Sequence, residues 1–281
     1  SRGLGDVYKR QEFNYNTTKI MGVINVTPDS FSDGGNFYSP EAALKQALKL
    51  EKEGADILDI GAESSRPGSE PIDAKTEWER LGPALSAIKQ NCKNIKISVD
   101  SYRSETILRA VEEFGIDYVN CIKGLLDFSL LQRLAKVDHL NFIAMHMQGS
   151  PKNMQKHPLK GGEVVAKLKE FFKTSILELK RAGFSENRIF LDPGIGFGKS
   201  DAANLKLLQW MPIAQERYSN VVVGISRKSM FSRILEIQEP MQRDAVSKMV
   251  ELGLLFAGVS IIRTHDVAAL VKIKKTWLQD D

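Results

Sequence analysis

The sequence predicts a single-domain α/β protein, a (β/α)8 TIM barrel. Three features support it: eight short apolar runs, helical patterns between them, and a polar residue within two positions of the end of every run. In a parallel barrel all strand C-termini open on one mouth, so such residues converge on one pocket. The polar residues in question are Asn25, Glu63, Asp100, Asn120, His146, Asp192, Ser226 and Arg263.

The size of the chain agrees with this fold. Its 281 residues are 42% hydrophobic, and a barrel of roughly 250 residues uses nearly all of them as one domain. Residues 1–18 are polar and aperiodic, so we interpret them as a flexible N-terminal extension or a cloning remnant. The barrel domain is predicted over residues 19–281.

The eight predicted strands are rich in β-branched and aliphatic residues. Their nearly continuous apolar character is typical of parallel strands that are buried on both faces. In chain order they are KIMGVIN, ADILDIG, IKISVD, DYVN, NFIAMH, RIFLD, NVVVGIS and GVSIIR.

Helical periodicity separates these strands. Apolar residues three or four positions apart form a stripe, and we expect each stripe to face the sheet. The clearest stripes are Leu168, Phe172, Ile176 and Leu179, and then Ala245, Met249, Leu252 and Phe256. Gly54, Gly115 and Gly183 each lie between a helical pattern and the next strand, where a helix C-cap is expected.

A doubly wound open sheet would show the same alternation of strands and helices. However, no G-x-G-x-x-G motif follows the first strand, and polar residues occur after every strand. A ring of eight loops explains this distribution better than a single crevice, so the barrel is favoured.

Charge and cysteine content limit the partners and the compartment. The 39 Lys and Arg residues nearly balance the 35 Asp and Glu residues, which argues against nucleic acid or a membrane surface as a partner. No stretch reaches the ~18 apolar residues needed to span a bilayer. Cys92 and Cys121 lack disulfide or metal spacing, so we expect a cytoplasmic protein.

Two loops are longer than a strand–helix connection requires. They follow the first and second strands, over residues 26–40 and 62–73, and mix Gly and Pro with hydroxyl and carboxylate side chains. This composition is typical of loops that close over a substrate, although each could be a solvated surface loop.

Seven motifs, in order, resemble those of the dihydropteroate synthase family. They are MGVINVTPDSFSDGG, ESSRPG, SVDS, MHMQGSP, LDPGIGFGKS, ISRKSM and RTHDV, and they extend from Ile20 to the last helix. Members of this family join a dihydropterin pyrophosphate to 4-aminobenzoate and release pyrophosphate. The resemblance implies these two small-molecule substrates, and a homodimer that pairs through late helices.

A pterin ring presents adjacent donors on one edge and a carbonyl oxygen on the other, so its pocket needs acceptors and a cation. Asp100, Asn120, Asp192 and Lys228 supply that set. The resemblance makes these four the pterin-binding residues, with Ile122 and Met145 as apolar contacts and Arg263 stacked on the ring. Alternatively, Asp100 and Asp192 cap the helices that follow them.

Loss of pyrophosphate requires stabilisation of a multiply charged leaving group. The resemblance implies that Asn25 coordinates Mg²⁺, and that Arg263 and His265 hold the pyrophosphate oxygens, helped by Ser65 and Arg66. A lone histidine is more often structural. The position of His265 just beyond Arg263 at a strand end favours a phosphate site instead.

Once pyrophosphate leaves, the pterin methylene carries positive charge, and the weakly basic aromatic amine attacks by an SN1-like path. The resemblance implies that Ser229 receives the aminobenzoate carboxylate, and that Phe197, Pro67 and the stem of Lys228 enclose the ring. Ser65 and Arg66 complete this site. Considered without the family resemblance, Phe197 could be a packing residue and Arg66 an exposed surface charge. We expect the Lys199 ammonium to be solvated and the His146 ring to satisfy a buried hydrogen bond.

One segment departs from the family pattern. Where the family usually has Asn-Asp-Ile-Ser-Gly, this chain has Asn120, Cys121, Ile122, Lys123 and Gly124. The change removes a carboxylate and adds a cation, which we expect beside the pterin site. This departure leaves open the alternative that the chain is a divergent, non-catalytic pterin-binding paralogue. A methyltetrahydrofolate:corrinoid methyltransferase is the other alternative, although SRKSM and RTHDV argue against it.

Overall fold

The computed structural model describes residues 17–27, 40–64, 69–239 and 241–277. Within these ranges eight strands alternate with helices, which confirms the predicted barrel. The strands are β1 (Lys19–Asn25), β2 (Ile57–Gly61), β3 (Lys96–Asp100), β4 (Tyr118–Cys121), β5 (Asn141–Met145), β6 (Ile189–Asp192), β7 (Val222–Gly224) and β8 (Ile261–Thr264).

The helices in the described ranges surround the strands, and two of them separate β7 from β8. They are α1 (Pro40–Lys52), α2 (Ala74–Asn91), α3 (Ser104–Phe114), α4 (Phe128–Ala135), α5 (Val164–Ala182), α6 (Asp201–Tyr218), α7 (Ser229–Leu235), α8 (Asp244–Phe256) and α9 (Val267–Trp277). Every helix in the described part of the chain is too short or too polar to cross a lipid bilayer.

The strands form a parallel ring in the order β6-β5-β4-β3-β2-β1-β8-β7. A parallel bridge between Leu191 and Val221 joins β6 to the residue before β7, so the two ends of the sheet meet. All strand C-termini therefore lie at one mouth, as the sequence predicts.

Side chains alternate between the barrel interior and the helices. One interior cluster comprises Met21, Ile57, Tyr118, Ile143, Phe190, Val222 and Ile261. Neighbours such as Leu58, Val119 and Ile262 pack against the helices in a separate cluster. Residues two or four positions beyond the interior cluster consequently face inward at the mouth, and that alternation places the site.

The predicted stripe on α5 is confirmed, because Leu168, Phe172 and Leu179 are fully buried. The stripe on α8 was assigned to the wrong side: Met249 is 75% exposed and Phe256 is 42% exposed. The buried side of α8 is instead formed by Ser247, Lys248, Glu251, Leu254 and Leu255. Periodicity identifies residues that share a face, but not the surface that this face meets.

The glycines expected at helix ends adopt the left-handed backbone conformation, with φ of 93° at Gly54, 56° at Gly115 and 111° at Gly183. The predicted N-terminal extension lies mostly outside the described residues. Thr18 is buried, its hydroxyl donates to the Val259 carbonyl at 2.7 Å, and its own carbonyl accepts from Lys274. The anchored part of the chain thus includes Thr18.

Candidate active site

The register of the parallel strands places several predicted site residues at the same height in the barrel mouth. Asn25 pairs with Gly61, Gly61 with Asp100, and Asp100 with Asn120, so four neighbouring strands present one row. A side chain at Gly61 would lie within 3.3 Å of Asp100 Cβ, so glycine leaves room for this carboxylate. Further round the ring Met145 pairs with Asp192.

Asp59, on β2, is hydrogen-bonded to residues on three other strands. It is fully buried and accepts from Ser98 Oγ at 2.6 Å, Asn120 Nδ2 at 3.1 Å and Arg263 Nε at 2.6 Å. Sequence reasoning missed this residue because it lies inside an apolar run. The available signal was its spacing, since Ile57 and Asp59 share one face of the strand.

The bond to Asp59 fixes the orientation of the Asn120 amide. An ionised carboxylate can accept hydrogen bonds but cannot donate them. The amide nitrogen must therefore point to Asp59 and the amide oxygen away from it. Asn120 Oδ1 is buried and has no hydrogen-bond partner among the described residues. Because a buried acceptor without a donor is costly, this oxygen is suited to a donor on a ligand.

Asp100 shares the guanidinium of Arg263 with Asp59, and its Oδ2 accepts from Arg263 Nη2 at 3.2 Å. Burial, with the negative charge of Asp59, raises the pKa of Asp100 to about 7, and Arg263 opposes that rise. The helix-cap interpretation of Asp100 is wrong: the residue at the N-cap of α3 is Arg103, which makes no side-chain cap bond.

Asp192 closes β6 and accepts from the backbone N–H of Gly194 at 2.6 Å. Burial raises its pKa, and this bond and the Lys228 ammonium oppose the rise. The helix-cap interpretation is wrong here too, because Ser200 caps α6. Burial lowers the pKa of Lys228 to about 8, and its ammonium lies 4.2 Å from the centroid of the Phe197 ring.

Lys199 is not solvated as we expected; it is 1% exposed. Its ammonium donates to the carbonyls of His146 at 3.1 Å, Gly194 at 2.9 Å and Phe197 at 3.0 Å. Gly194 has a φ of 61°, and a side chain there would collide with the His146 carbonyl. Lys199 therefore joins the loops after β5 and β6 and fixes the backbone that carries Phe197.

His265 follows β8 and forms a pair with Ser226. The Ser226 hydroxyl accepts from the His265 backbone N–H at 3.2 Å and lies 3.0 Å from Nδ1. Burial and the charges of Arg263, Arg227 and Lys228 lower the pKa of His265 to about 3, so the ring is neutral. We assign the Ser226 proton to the bond with Nδ1, which leaves a proton on Nε2 as the free donor.

His146 does not make the buried hydrogen bond that we expected. Its Nδ1 is buried without a partner among the described residues, and the ring meets Phe171 edge-on at 5.1 Å. Burial lowers the pKa of His146 to about 3. No metal-binding group of three or more His, Cys, Asp or Glu residues occurs within the described ranges.

The remaining predicted contacts divide into two groups. Ile122 and Met145 are buried at the ends of β4 and β5, and Ser229 is exposed at the start of α7. The three second-loop residues, and most of the first long loop, lie outside the described residues. Those three are Ser65, Arg66 and Pro67.

The described base of the second loop is held by Arg103. Its guanidinium forms ion pairs with Glu63 and with Glu77, and donates to the Ile72 carbonyl. Ser69 Oγ donates to the Ser64 carbonyl at 2.5 Å. These contacts fix both ends of the loop relative to β3.

Cys121 and Lys123, the two residues that depart from the family pattern, have different surroundings. Cys121 alternates with the inward-facing Asn120, and packs in the apolar layer between sheet and helices. Burial raises the pKa of its thiol to about 12. The Lys123 ammonium is exposed and lies 3.9 Å from the centroid of the Tyr102 ring. Tyr102 follows Asp100 by two residues, so a cation beside the pterin site stays a prediction.

Comparisons with known proteins agree with this geometry. Residues 21–265 match the profile of the pterin binding enzyme family. Dihydropteroate synthase of Neisseria meningitidis serogroup C is 38% identical over 95% of this chain and 94% of its own length. This chain belongs to the dihydropteroate synthase family of pterin-binding enzymes.

Solved structures of dihydropteroate synthases superpose closely. The Yersinia pestis enzyme, solved with a sulfonamide drug complex, has a TM-score of 0.85 and 35% identity, covering 93% of this chain and 94% of its own. The Xanthomonas albilineans enzyme, solved with 4-aminobenzoic acid, has a TM-score of 0.84 and 35% identity over 94% of this chain and 93% of its own. The predicted family and fold are confirmed.

Proposed function

We propose that this chain condenses 6-hydroxymethyl-7,8-dihydropterin pyrophosphate with 4-aminobenzoate, giving 7,8-dihydropteroate and pyrophosphate in folate biosynthesis. The observation that carries this proposal is the buried network at the mouth, in which Asp59 orients Asn120 and Arg263. The related Xanthomonas albilineans enzyme has been solved with the proposed second substrate.

The inward-facing acceptors recognise the donor edge of the pterin. Asn120 Oδ1 and the carboxylates of Asp100 and Asp192 accept from the ring N–H and amino groups, and Lys228 donates to the carbonyl oxygen. Ile122 and Met145 supply apolar contacts, and Arg263 covers a ring face. In the described structure Asn120 Oδ1 lacks any other donor, which supports this assignment.

Arg263 and His265 hold the departing pyrophosphate. Arg263 contributes charge, whereas His265 contributes the Nε2–H donor that its pairing with Ser226 leaves free. Asn25 offers an amide oxygen at the end of β1, and Mg²⁺ accepts a single such ligand when phosphate oxygens and water complete its shell. Bound there, Mg²⁺ would neutralise charge on the diphosphate.

The aromatic amine then attacks the electron-poor pterin methylene. The new C–N bond replaces the broken C–O bond, and the nitrogen then loses a proton to water. Because a weakly basic amine gives an acidic cation, this proton transfer needs no strong general base, and catalysis depends on positioning and charge stabilisation. Phe197 and the Lys228 stem bound the aminobenzoate ring, and Ser229 at the start of α7 receives its carboxylate. Ser65, Arg66 and Pro67 complete the site.

We test this function by measuring pyrophosphate release with both substrates and Mg²⁺. The proposal predicts multiple turnovers that depend on 4-aminobenzoate, together with formation of dihydropteroate. A non-catalytic paralogue would bind the pterin and release no pyrophosphate. A methyltransferase would instead transfer a methyl group from methyltetrahydrofolate to a corrinoid, so either outcome would refute the synthase.

The exposed apolar side of α8 supports a homodimer. Met249 is 75% exposed, and near it Phe256 contacts Trp277 edge-on at 6.5 Å, with Trp277 62% exposed. A second copy would remove this apolar surface from water.

Cys92 and Cys121 are both unpaired and buried, which supports our expectation of a cytoplasmic protein.

A further inference from the structure

The barrel-facing side of α8 is unusually polar. Its first two turns present Ser247, Lys248 and Glu251, which are 0%, 9% and 0% exposed, where apolar residues normally contact a sheet. Charged residues are almost never buried this deeply unless paired, so these groups need an explanation. The proposed chemistry uses none of them.

Lys248 reaches the turn after β8. Its ammonium donates to Thr264 Oγ1 at 2.9 Å, to the Asp266 carbonyl at 2.8 Å, and to Glu251 Oε2 at 2.6 Å. All three ammonium protons are thereby used. Two of the three acceptors lie on either side of His265 in the chain, so Lys248 holds the turn at both ends.

Strand alternation explains why this contact matters. Arg263 faces the barrel interior and bonds to Asp59, whereas Thr264, the next residue, faces outward to α8. A displacement of Thr264 would therefore move the backbone that carries the Arg263 side chain. Lys248 thus supports the outer side of the strand whose inner side forms the site.

The same helix fixes the loop that carries Ser226. Ser247 Oγ accepts from the Arg227 backbone N–H at 3.1 Å, and Asp244 forms an ion pair with the Arg227 guanidinium at 2.8 Å. Both partners of the Ser226–His265 pair are consequently anchored to α8.

Glu251, the carboxylate partner of Lys248, is fully buried. Its Oε1 is buried and has no hydrogen-bond partner among the described residues. Burial raises its pKa, and Lys248 opposes that rise. An apolar pair would pack here without the cost of desolvating charges, so a role in positioning explains the ion pair better than one in stability.

We propose that Lys248 is a positioning residue that holds the Arg263–His265 turn in the geometry needed to bind pyrophosphate. This inference rests on the proposed function. It differs from the proposed roles of Arg263 and His265 because Lys248 touches neither substrate.

The test compares two ligands. Calorimetry measures the binding of inorganic pyrophosphate with Mg²⁺, and separately of 6-hydroxymethylpterin, to the wild type and to Lys248→Met. We expect the pyrophosphate Kd to rise about tenfold, as a displaced binding group would cause, while the pterin Kd stays unchanged. KM for the pterin pyrophosphate should rise in parallel with the pyrophosphate Kd.

Three further variants keep the test decisive. Lys248→Met with Glu251→Gln leaves no carboxylate buried without its cation, so it separates positioning from misfolding. Thr264→Val removes one of the three acceptors and should shift the pyrophosphate Kd in the same direction. Lys272→Met, at an exposed site on α9, should change neither Kd.

Equal losses of pterin and pyrophosphate affinity, or unchanged affinities in the folded variants, would overturn the inference. If the wild type shows no turnover that depends on 4-aminobenzoate, the proposed function fails and this inference fails with it. The wild-type turnover assay therefore distinguishes the two failures.

Discussion

At the scale of single residues, Arg263 has two tasks. It is the counter-ion of Asp59 and Asp100, at 2.6 and 3.2 Å, and it is also the proposed pyrophosphate ligand. Any substitution at Arg263 therefore affects both stability and chemistry. The two effects must be separated before a loss of activity is interpreted.

We predict that Arg263→Ala lowers the free energy of unfolding by about 3–5 kcal/mol, because two carboxylates lose their cation. Turnover should fall by about 10²–10³-fold or more. Adding Asp59→Asn removes one unpaired charge and should recover much of the stability without restoring pyrophosphate release. Denaturant unfolding and the release assay check this, and restored turnover in the double variant would remove Arg263 from the leaving-group role.

A substitution at Asp192 tests the pterin pocket separately from the proposed pyrophosphate ligands. Asp192→Asn should weaken binding of 6-hydroxymethylpterin by about 1.5–3 kcal/mol, because a charged acceptor is replaced by a neutral amide. Calorimetry measures the change, and Asp138→Asn at an exposed site is the matched control. Equal pterin affinities of the Asp192 variant and the wild type would contradict the assignment.

The buried histidines predict a pH dependence of stability. The pKa of His146 is lowered to about 3 in the folded state, against an ordinary value near 6.5. Between these values the unfolded chain binds a proton that the folded chain does not, so stability is lost as pH falls through this window. The raised pKa values of Asp100 and Asp192 act in the opposite direction.

A comparison with His146→Gln isolates this contribution, because the carboxylates are common to both proteins. Urea unfolding at pH 7 and pH 5 should show a smaller loss of stability in the variant than in the wild type. An identical loss in the two proteins would mean that His146 is protonated in the folded state.

At the scale of elements, the loops after β5 and β6 behave as one unit because Lys199 bonds to both. Lys199→Met would leave buried carbonyl oxygens without donors and should destabilise the fold by about 1–3 kcal/mol. Because Phe197 lies on this unit, KM for 4-aminobenzoate should also rise. Lys206→Met, exposed on α6, is the control, and equal KM values would show that Lys199 is only structural.

The strands and helices also show how much of the fold can be predicted from local sequence patterns. The strands and their ends at Asn25, Asp100, Asn120 and Asp192 follow from apolar runs alone, because parallel strands are buried on both faces. The orientation of α8 does not follow, since the hydrophobic side of that helix faces away from the barrel. Tertiary contacts to the turn after β8 decide its orientation.

At the scale of the whole molecule, the exposed side of α8 predicts self-association. Met249→Glu should convert a dimer to a monomer in sedimentation experiments, because burying a carboxylate in an apolar interface is costly. Leu177→Glu, at a similarly exposed position on α5, should leave the dimer intact. A wild type that sediments as a monomer would contradict the homodimer.

The site is partly visible in the sequence and partly a property of the whole barrel. Strand-end residues could be read from the motifs, because those residues terminate apolar runs. Lys199 could not, since it bonds to the His146 carbonyl on another loop. The spacing of Asp59 gives its face but not its partner Arg263, 204 residues away. A charge inside an apolar run is ambiguous until the strands that surround it are known.

The most direct test of the central claim is a crystal structure of this protein with the pterin pyrophosphate bound. The account predicts the ring inside the barrel mouth, with Asn120 Oδ1 and the Asp192 carboxylate accepting from its donor edge. The diphosphate should contact Arg263 and His265. A pterin bound outside the mouth, or a diphosphate away from both residues, would contradict the account.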